Sequence, residues 1–395
     1  MTNAATSTEP LPSVDRPVVL LVDDQMIIGE AVRRILASHS DIAYHFCQKG
    51  SEALATAAKL KPTVILQDLI MPDVDGLDLV REYRKQEATA LTPLIVLSSK
   101  EEGTTKAEAF ARGANDYIVK LPDPVELVAR IRYHTRGYLS LLQRNEAFDA
   151  LHRSQAALAA ELSKAAGYVR SLLPNPLDEV VKIDWNFVPS ASLGGDCFDY
   201  FWIDDDHLAV YLLDVCGHGV GPALLGVSAM NSIRSRAVAG GDLRDPTSVL
   251  RHLNAAFPME QHHNMYFTIW YGVYQKSTRT LSYSGGGHPP PLLISGESIR
   301  NLDSPGPPVG ISTEDCETLK VQVSPGSSLL VYSDGGIEVW VEPQKLWGVD
   351  GLVTFSRSHD MANKTALDDL YKKVKSMAGN EVLDDDFSTI LLRFP

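Results

Sequence analysis

The stretch VVLLVDD, residues 18–24, decides the fold of the first part of the chain. It is a short apolar run that ends in two carboxylates. Similar runs follow, each with a polar residue at its end: Val64–Gln67 before Asp68, Leu94–Leu97 before Ser98, and Tyr117–Val119 before Lys120. Amphipathic helical patterns, such as those at residues 28–36 and 51–60, alternate with these runs. The alternation predicts an α/β doubly wound fold, in which helices cover both faces of a parallel sheet.

The polar residues at the strand ends predict a phosphoryl-accepting site, because ligands of this fold bind beyond the carboxyl ends of the strands. Asp68 can attack a phosphoryl donor as a carboxylate nucleophile. Asp23 and Asp24, together with Asp68, are suited to hold one Mg²⁺ or Mn²⁺ ion. Lys120 and Ser98 are placed to contact the phosphoryl oxygens.

Residues 17–122 resemble the receiver domains of bacterial response regulators, with LIMPDVDGLDL around Asp68. The resemblance implies a flavodoxin-like fold and phosphorylation of Asp68 by a sensor histidine kinase or a phosphotransfer protein. It also implies that Ser98, Tyr117 and Lys120 act as switch residues. Lys120-Leu121-Pro122 departs from the direct Lys-Pro of many receivers. Residues 1–16, which are small and polar, are predicted to be a flexible tail.

Residues 123–173 are predicted to form a helical linker. Asp123 and Pro124 are typical of a helix start, as N-cap and first helical residue. Apolar residues at heptad spacing predict a parallel coiled coil that makes the protein a homodimer, with His134, Asn145 and Gln155 as polar register positions. A single amphipathic helix lying across one domain is the alternative.

Residues 174–395 contain apolar runs and helical patterns without regular alternation, which predicts an α+β sandwich. Four acidic motifs lie in this region: GGDCFD at 194–199, DVCGHG at 214–219, YSDGG at 332–336 and DDDFS at 384–388. Carboxylates from four distant segments suit two hard cations. Such a pair activates a bridging water for in-line attack on a phosphoryl group.

These motifs, with GGHPPP at 286–291 and PPVG at 307–310, resemble the PPM (PP2C-like) Ser/Thr phosphatases, and the SpoIIE branch in particular. The resemblance implies that Asp214 bridges two Mg²⁺ or Mn²⁺ ions beside the Val215 carbonyl, with Asp196 on one ion and Asp334 and Asp385 on the other. The remaining motif positions are Gly195, Asp199, Gly217, His218, Gly219, Gly335 and Asp386. His218 is expected to support the site rather than to bind an ion. Cys216 stands where relatives usually carry Ser.

The net charge, the cysteines and the length of the apolar runs exclude several classes of function. The net charge is −14, so nucleic-acid binding is not expected. The four cysteines are scattered, which favours a reducing cytoplasm, and no apolar run has the length of a membrane span.

The favoured interpretation is a two-component response regulator in which phosphorylation of Asp68 controls a metal-dependent Ser/Thr phosphatase. A phosphorylated STAS anti-anti-sigma factor is the expected substrate. One alternative is an RssB-type adaptor that binds a sigma factor for proteolysis, although the metal acids of such adaptors are degenerate and all four are present here. A diguanylate cyclase is disfavoured, because Cys197 stands where a second carboxylate is needed.

Overall fold

The computed structural model describes residues 16–235, 242–312, 314, 316–342, 345–379 and 383–395. Contacts divide the chain into two compact units, of which the first ends at Gln155 and the second begins at Ala156. The predicted tail lies outside the described residues, apart from Arg16. Among the helices in the described ranges, none is both long and apolar enough to cross a membrane.

The first unit is a five-stranded parallel sheet with the strand order β2-β1-β3-β4-β5. Its elements are β1 Val18–Val22, α1 Met26–Ala37, β2 Ala43–Cys47, α2 Gly50–Leu60, β3 Val64–Gln67, α3 Gly76–Lys85, β4 Leu94–Ser98, α4 Gly103–Ala111, β5 Asp116–Val119 and the start of α5 Pro124–Ser171. This order confirms the predicted doubly wound α/β fold.

An apolar core lies on each face of this sheet, because successive strand residues point to opposite sides. In β1, Leu20 packs in one core with Tyr83, and Leu21 packs in the other with Val32. Strands that are buried on both faces need continuous apolar runs, which is the pattern that the sequence displays.

The first turns of α5 complete the second of these cores. Leu127 and Ile131 are fully buried in it, and Nε2 of His134 lies 3.0 Å from Oδ2 of Asp116. These contacts contradict the prediction of His134 as a register position of a coiled coil, because this part of the linker packs within the first unit. The sheet needs this part of the helix to cover its own apolar face.

Further along, α5 has a different environment. Residues 143–161 are all exposed in the single chain. They include Phe148, Leu151 and Leu158, whose exposed fractions are 60%, 55% and 62%. A helix with large exposed apolar residues calls for a partner, and a coiled coil of two copies over this segment stays a prediction.

The second unit is an α+β sandwich. Its elements after α5 are β6 Leu177–Asp178, β7 Lys182–Val188, β8 Cys197–Trp202, β9 His207–Val215, α6 Val220–Arg234, α7 Pro246–Ala256, β10 Phe267–Gln275, β11 Thr280–Gly286, β12 Leu292–Ser295, β13 Ser298–Asn301, β14 Leu319–Gln322, β15 Ser328–Tyr332, β16 Trp340–Glu342, β17 Lys345–Leu346, α8 Gly348–Ser358, α9 Thr365–Ala378 and β18 Phe387–Arg393. One antiparallel sheet has the order β14-β11-β10-β9-β8, and the other has the order β13-β12-β15-β18-β7-β6.

Three apolar layers hold the sandwich together. Phe198, Trp270 and Ile390 belong to the core between the sheets. Helices α6 and α7 cover the outer face of the first sheet, where Met230 packs, while α8 and α9 cover the second sheet, where Leu370 packs. The predicted α+β sandwich is confirmed.

Candidate functional sites

The first candidate site lies at the carboxyl ends of β1 and β3. These strands are parallel neighbours with Val22 opposite Gln67, so the residues that follow them meet at one edge of the sheet. Asp23 and Asp68 are buried, and oxygen atoms of Asp23, Asp24 and Asp68 all lie within 4.8 Å of one another. Three hard oxygen ligands at this spacing fit a Mg²⁺ or Mn²⁺ ion.

Lys120 bridges two of these carboxylates. Its Nζ lies 2.7 Å from Oδ2 of Asp23 and 2.8 Å from Oδ2 of Asp68. Burial raises the pKa of Asp23 against the opposing effect of Lys120. Although burial lowers the pKa of Lys120, its two carboxylate partners outweigh that effect and raise it overall. Oδ1 of Asp24 is buried without a hydrogen-bond partner, which leaves it free for a cation.

The other predicted receiver residues lie at the same edge. Ser98 ends β4 and is buried, and its backbone oxygen accepts a 2.9 Å hydrogen bond from the backbone N–H of Lys120. The Tyr117 side chain is 9% exposed and its hydroxyl donates a 2.6 Å hydrogen bond to the carbonyl of Lys100. Tyr117 is therefore packed inward in this structure.

The acidic residues of the turn after Asp68 make hydrogen bonds to the starts of neighbouring helices and do not join the carboxylate cluster. Asp75 caps α3 by accepting a 2.8 Å hydrogen bond from the backbone N–H of Leu77. Asp73 accepts hydrogen bonds from Ser51 at the start of α2. Gly76 packs so closely that a Cβ would overlap the carbonyl oxygen of Asp68. The turn therefore positions the backbone of Asp68.

The second candidate site gathers carboxylates from both sheets of the sandwich. Asp196 precedes β8 and Asp214 lies near the end of β9, and the pairing of Cys197 with Leu213 places them side by side. Asp334 follows β15, and Asp385 precedes β18, the strand paired with β15. The four predicted acids thus come from strand ends that meet at one edge of the sandwich.

The electrostatics of these acids indicate a cation site. Asp196 is 1% exposed, and neither of its carboxylate oxygens has a hydrogen-bond partner. Burial and then the charge of Asp214 raise the pKa of Asp196 well above its ordinary value. Burial, Asp334 and Asp385 raise the pKa of Asp214 to about 8, and burial and Asp385 raise that of Asp334 to about 6. A cation among buried carboxylates that repel one another offsets this repulsion and favours their ionised forms.

The two sites differ in how closely their carboxylate oxygens approach one another. Within the described ranges, Asp23, Asp24 and Asp68 are the one set of three carboxylates whose oxygens approach within 4.8 Å of each other. The acids of the second site are more widely spread, as two ions would require. A Cβ on Gly195 would lie 2.5 Å from the Val215 carbonyl oxygen, so this glycine permits close approach of two motifs.

Other motif residues have separate positions. Asp199 does not join the acids, because its Oδ2 accepts a 2.6 Å hydrogen bond from Nε of Arg234. His218 is exposed and near enough to Asp385 to oppose the rise in the pKa of that carboxyl, which burial causes. Gly217 and Gly219 have φ angles of 84° and 102°, which non-glycine residues rarely adopt.

Two contacts were not predicted from the sequence. Arg234 also donates a 2.7 Å hydrogen bond to the carbonyl of Leu172, just beyond α5. Ser190 donates hydrogen bonds from its backbone and its hydroxyl to Oδ1 of Asp386, at 2.8 and 3.0 Å. No local sequence pattern predicts these contacts. The partners Ser190 and Asp386, for example, are 196 residues apart.

Comparison with known proteins identifies the families that the two parts of the chain match. Residues 19–132 match the response regulator receiver domain family, and residues 204–395 match the stage II sporulation protein E (SpoIIE) family. Protein IcfG of Synechocystis is 24% identical over 320 residues, which are 73% of this chain and 50% of IcfG. Phosphoserine phosphatase RsbP of Bacillus subtilis is 28% identical over 182 residues, which are 44% of either protein.

A solved structure supports the fold of the second unit. The PP2C domain of SiaA from Pseudomonas aeruginosa matches with a TM-score of 0.54 at 21% identity, covering 61% of this chain and 99% of that domain. The chain spans about half the length of the curated relatives it matches. It thus carries a response regulator receiver domain followed by a PP2C-like domain of the SpoIIE family.

Proposed function

We propose that the chain is a response regulator whose C-terminal domain removes phosphate from phosphoserine or phosphothreonine in a protein, under the control of phosphorylation at Asp68. The neighbouring carboxylates of Asp196, which is buried, and Asp214, which is partly buried, carry the proposal. Asp196 has two unpartnered oxygens, and Asp214 has a pKa of about 8. Such a pair is costly to the fold unless it binds cations. The similarity to RsbP, a phosphoserine phosphatase, supports the same reaction.

The residues of the second site would have different roles in binding the two ions. Asp214 and the Val215 carbonyl would hold both Mg²⁺ or Mn²⁺ ions, Asp196 one of them, and Asp334 and Asp385 the other. Bound ions supply an activated water and neutralise the charge of the phosphoryl group. The chain buries Asp196, partly buries Asp214 and Asp334, and orients these carboxylates through tight glycine turns.

The first site would receive a phosphoryl group from a sensor histidine kinase or a phosphotransfer protein. An oxygen of Asp68 attacks the phosphorus, and the bond from phosphorus to the donor breaks. Lys120, which contacts both Asp23 and Asp68, would then turn to the new phosphoryl oxygens. That rearrangement is the proposed start of the signal.

The substrate is proposed from the family resemblance, and the assembly from the heptad spacing of the linker. A phosphorylated STAS-type protein is the proposed substrate, which would link the chain to sigma-factor signalling. Two copies joined along the exposed part of α5 are the proposed assembly, and the cytoplasm is the proposed location.

The test is hydrolysis of p-nitrophenyl phosphate and of a serine-phosphorylated STAS protein, with Mn²⁺ or with EDTA. We expect activity that depends on Mn²⁺ and is lost in Asp214→Asn. Asp369→Asn is the matched control, since this acid lies on α9 and makes only an exposed ion pair with Lys372. Failure to hydrolyse either substrate with Mn²⁺ would favour the adaptor alternative.

A further inference from the structure

Asp386 differs from its acidic neighbours in the number of hydrogen bonds that it accepts. Oδ1 accepts from the backbone N–H and the hydroxyl of Ser190, at 2.8 and 3.0 Å. Oδ2 accepts from the backbone N–H groups of Gly195 and Asp196, at 2.6 and 3.3 Å. A carboxylate offers about four lone-pair sites. All four are thus engaged by the protein, in a side chain that is 2% exposed.

Asp196 is in the opposite state. It is equally buried, yet neither of its oxygens accepts a hydrogen bond of ordinary geometry, and the nearby hydroxyls of Ser388 and Ser333 only partly oppose the rise in its pKa that burial causes. Because buried polar atoms are costly when unpaired, Asp196 is the acid that needs a cation. Asp386 has no lone pair left to offer one, so the two neighbouring acids cannot have the same role.

The backbone of Asp386 joins the remaining parts of the site. Its carbonyl oxygen accepts a 3.0 Å hydrogen bond from the hydroxyl of Ser333, which precedes Asp334. A Cβ on Gly335 would overlap the same carbonyl, and a Cβ on Gly194 would overlap the carboxylate. Asp386 therefore contacts the loops that carry Asp196 and Asp334, and it follows Asp385 directly in the chain.

We infer that Asp386 is a positioning residue that holds the loop of residues 190–196 so that Asp196 presents its oxygens to a cation. The inference rests on the proposed metal-dependent function and assigns this residue a role within it. Substitution by Asn keeps the size of the side chain, but the new NH₂ group would face an N–H donor. Changing groups that orient a metal ligand lowers metal affinity by roughly 10- to 100-fold.

Mn²⁺ binding tests this directly. We would measure free Mn²⁺ by electron paramagnetic resonance in the full chain, with Asp24→Asn present throughout to remove binding by the receiver. Asp386→Asn should weaken Mn²⁺ binding by about 10- to 100-fold. Turnover at saturating Mn²⁺ should recover more fully than affinity. Asp369→Asn is the control, because this acid makes only an exposed ion pair with Lys372, and its Mn²⁺ affinity should stay within about threefold.

A second variant covers the case in which Asp386→Asn does not fold. Ser190→Ala removes one of the four donors and should weaken Mn²⁺ binding by a smaller factor, about threefold to tenfold. Unchanged Mn²⁺ affinity in a folded Asp386→Asn protein, or in Ser190→Ala if only that variant folds, would overturn the positioning role. If the Asp24→Asn protein itself bound no Mn²⁺, the proposed metal site would fail, and the inference with it.

Discussion

Replacing Asp214 with Asn should stabilise the metal-free protein, although it removes a residue of the proposed site. The pKa of Asp214 is raised from 3.8 to about 8, chiefly by burial and then by Asp334 and Asp385. A raised pKa in the folded state gives stability that is complete below the unfolded pKa and is lost as the pH rises to the folded pKa. The metal-free protein should therefore lose stability between about pH 4 and pH 8.

The size of the effect follows from the same pKa. Each pH unit above 3.8 costs about 1.4 kcal/mol, so the loss at pH 7 is about 4 kcal/mol. This is an upper bound, since neighbouring acids share the protons. For a unit of this size, about 4 kcal/mol corresponds to a change in Tm of about 10 °C. Asp214→Asn should recover part of it.

Thermal unfolding followed by tryptophan fluorescence is the assay. All five tryptophans lie in the second unit, at positions 185, 202, 270, 340 and 347, so the signal reports on that unit alone. In EDTA, the wild-type Tm should fall from pH 5.5 to pH 8, and Mn²⁺ should restore it. Asp214→Asn should have a higher Tm at pH 8 in EDTA and should not respond to Mn²⁺.

The exposed acid Asp369 provides the control, and Asp369→Asn should follow the wild type at every pH. A lower Tm for Asp214→Asn than for the wild type in EDTA at pH 8 would refute the reasoning. So would a wild-type Tm that rises with pH in EDTA, since ionisation of these acids would then stabilise the fold.

Further predictions concern the receiver, the linker and the second unit. Asp68→Asn should abolish labelling by acetyl phosphate in a Phos-tag gel, and a remaining shifted band would show another acceptor. Lys120→Met leaves two buried carboxylates without a counter-charge and should destabilise the first unit by about 3–5 kcal/mol in EDTA, less in Mg²⁺; unchanged urea unfolding by circular dichroism would contradict this. Arg234→Met should cost the second unit about 3 kcal/mol in urea unfolding, whereas Arg244→Met, which breaks only exposed pairs, should cost under about 1 kcal/mol; equal effects would argue against a buried ion pair. Leu158→Asp should shift the sedimentation coefficient to that of a monomer, and an unchanged dimer would place its interface elsewhere.

The receiver site was predictable because its residues follow strands of a parallel sheet. Asp23, Asp68 and Lys120 each end an apolar run, and the topology brings those ends together whatever the helices between them do. The observed contacts of Lys120 with both acids agree with that expectation. Local patterns were sufficient because the fold itself supplies the convergence.

The second unit was predictable in class but not in its contacts. Its acidic motifs lie at strand ends. No local pattern, however, indicates that the Asp386 carboxylate accepts hydrogen bonds from Ser190 and Gly195 while neither oxygen of Asp196 accepts one of ordinary geometry. Asp199 illustrates the same limit, because it belongs to a motif with Asp196 and nevertheless pairs with Arg234 on the helical side of the sheet. Partners far apart in sequence are set by tertiary packing.

The linker helix shows that one apolar heptad pattern can lie in two different environments along its length. Apolar spacing runs from Leu127 onward with a phase slip between Phe148 and Leu151, but Leu127 and Ile131 are buried in the core of the first unit. Later residues with the same spacing, such as Leu151 and Leu158, are exposed in the single chain. A heptad pattern records that a helix has an apolar face, not what covers that face.

The measurement that tests the central claim most directly is phosphatase turnover with and without beryllofluoride, a phosphoryl mimic, in the wild type and in Asp68→Asn. A Mn²⁺-dependent rate on a serine-phosphorylated STAS protein should change with beryllofluoride in the wild type and stay constant in Asp68→Asn. Equal rates with and without beryllofluoride in the wild type would contradict control of the phosphatase by the receiver.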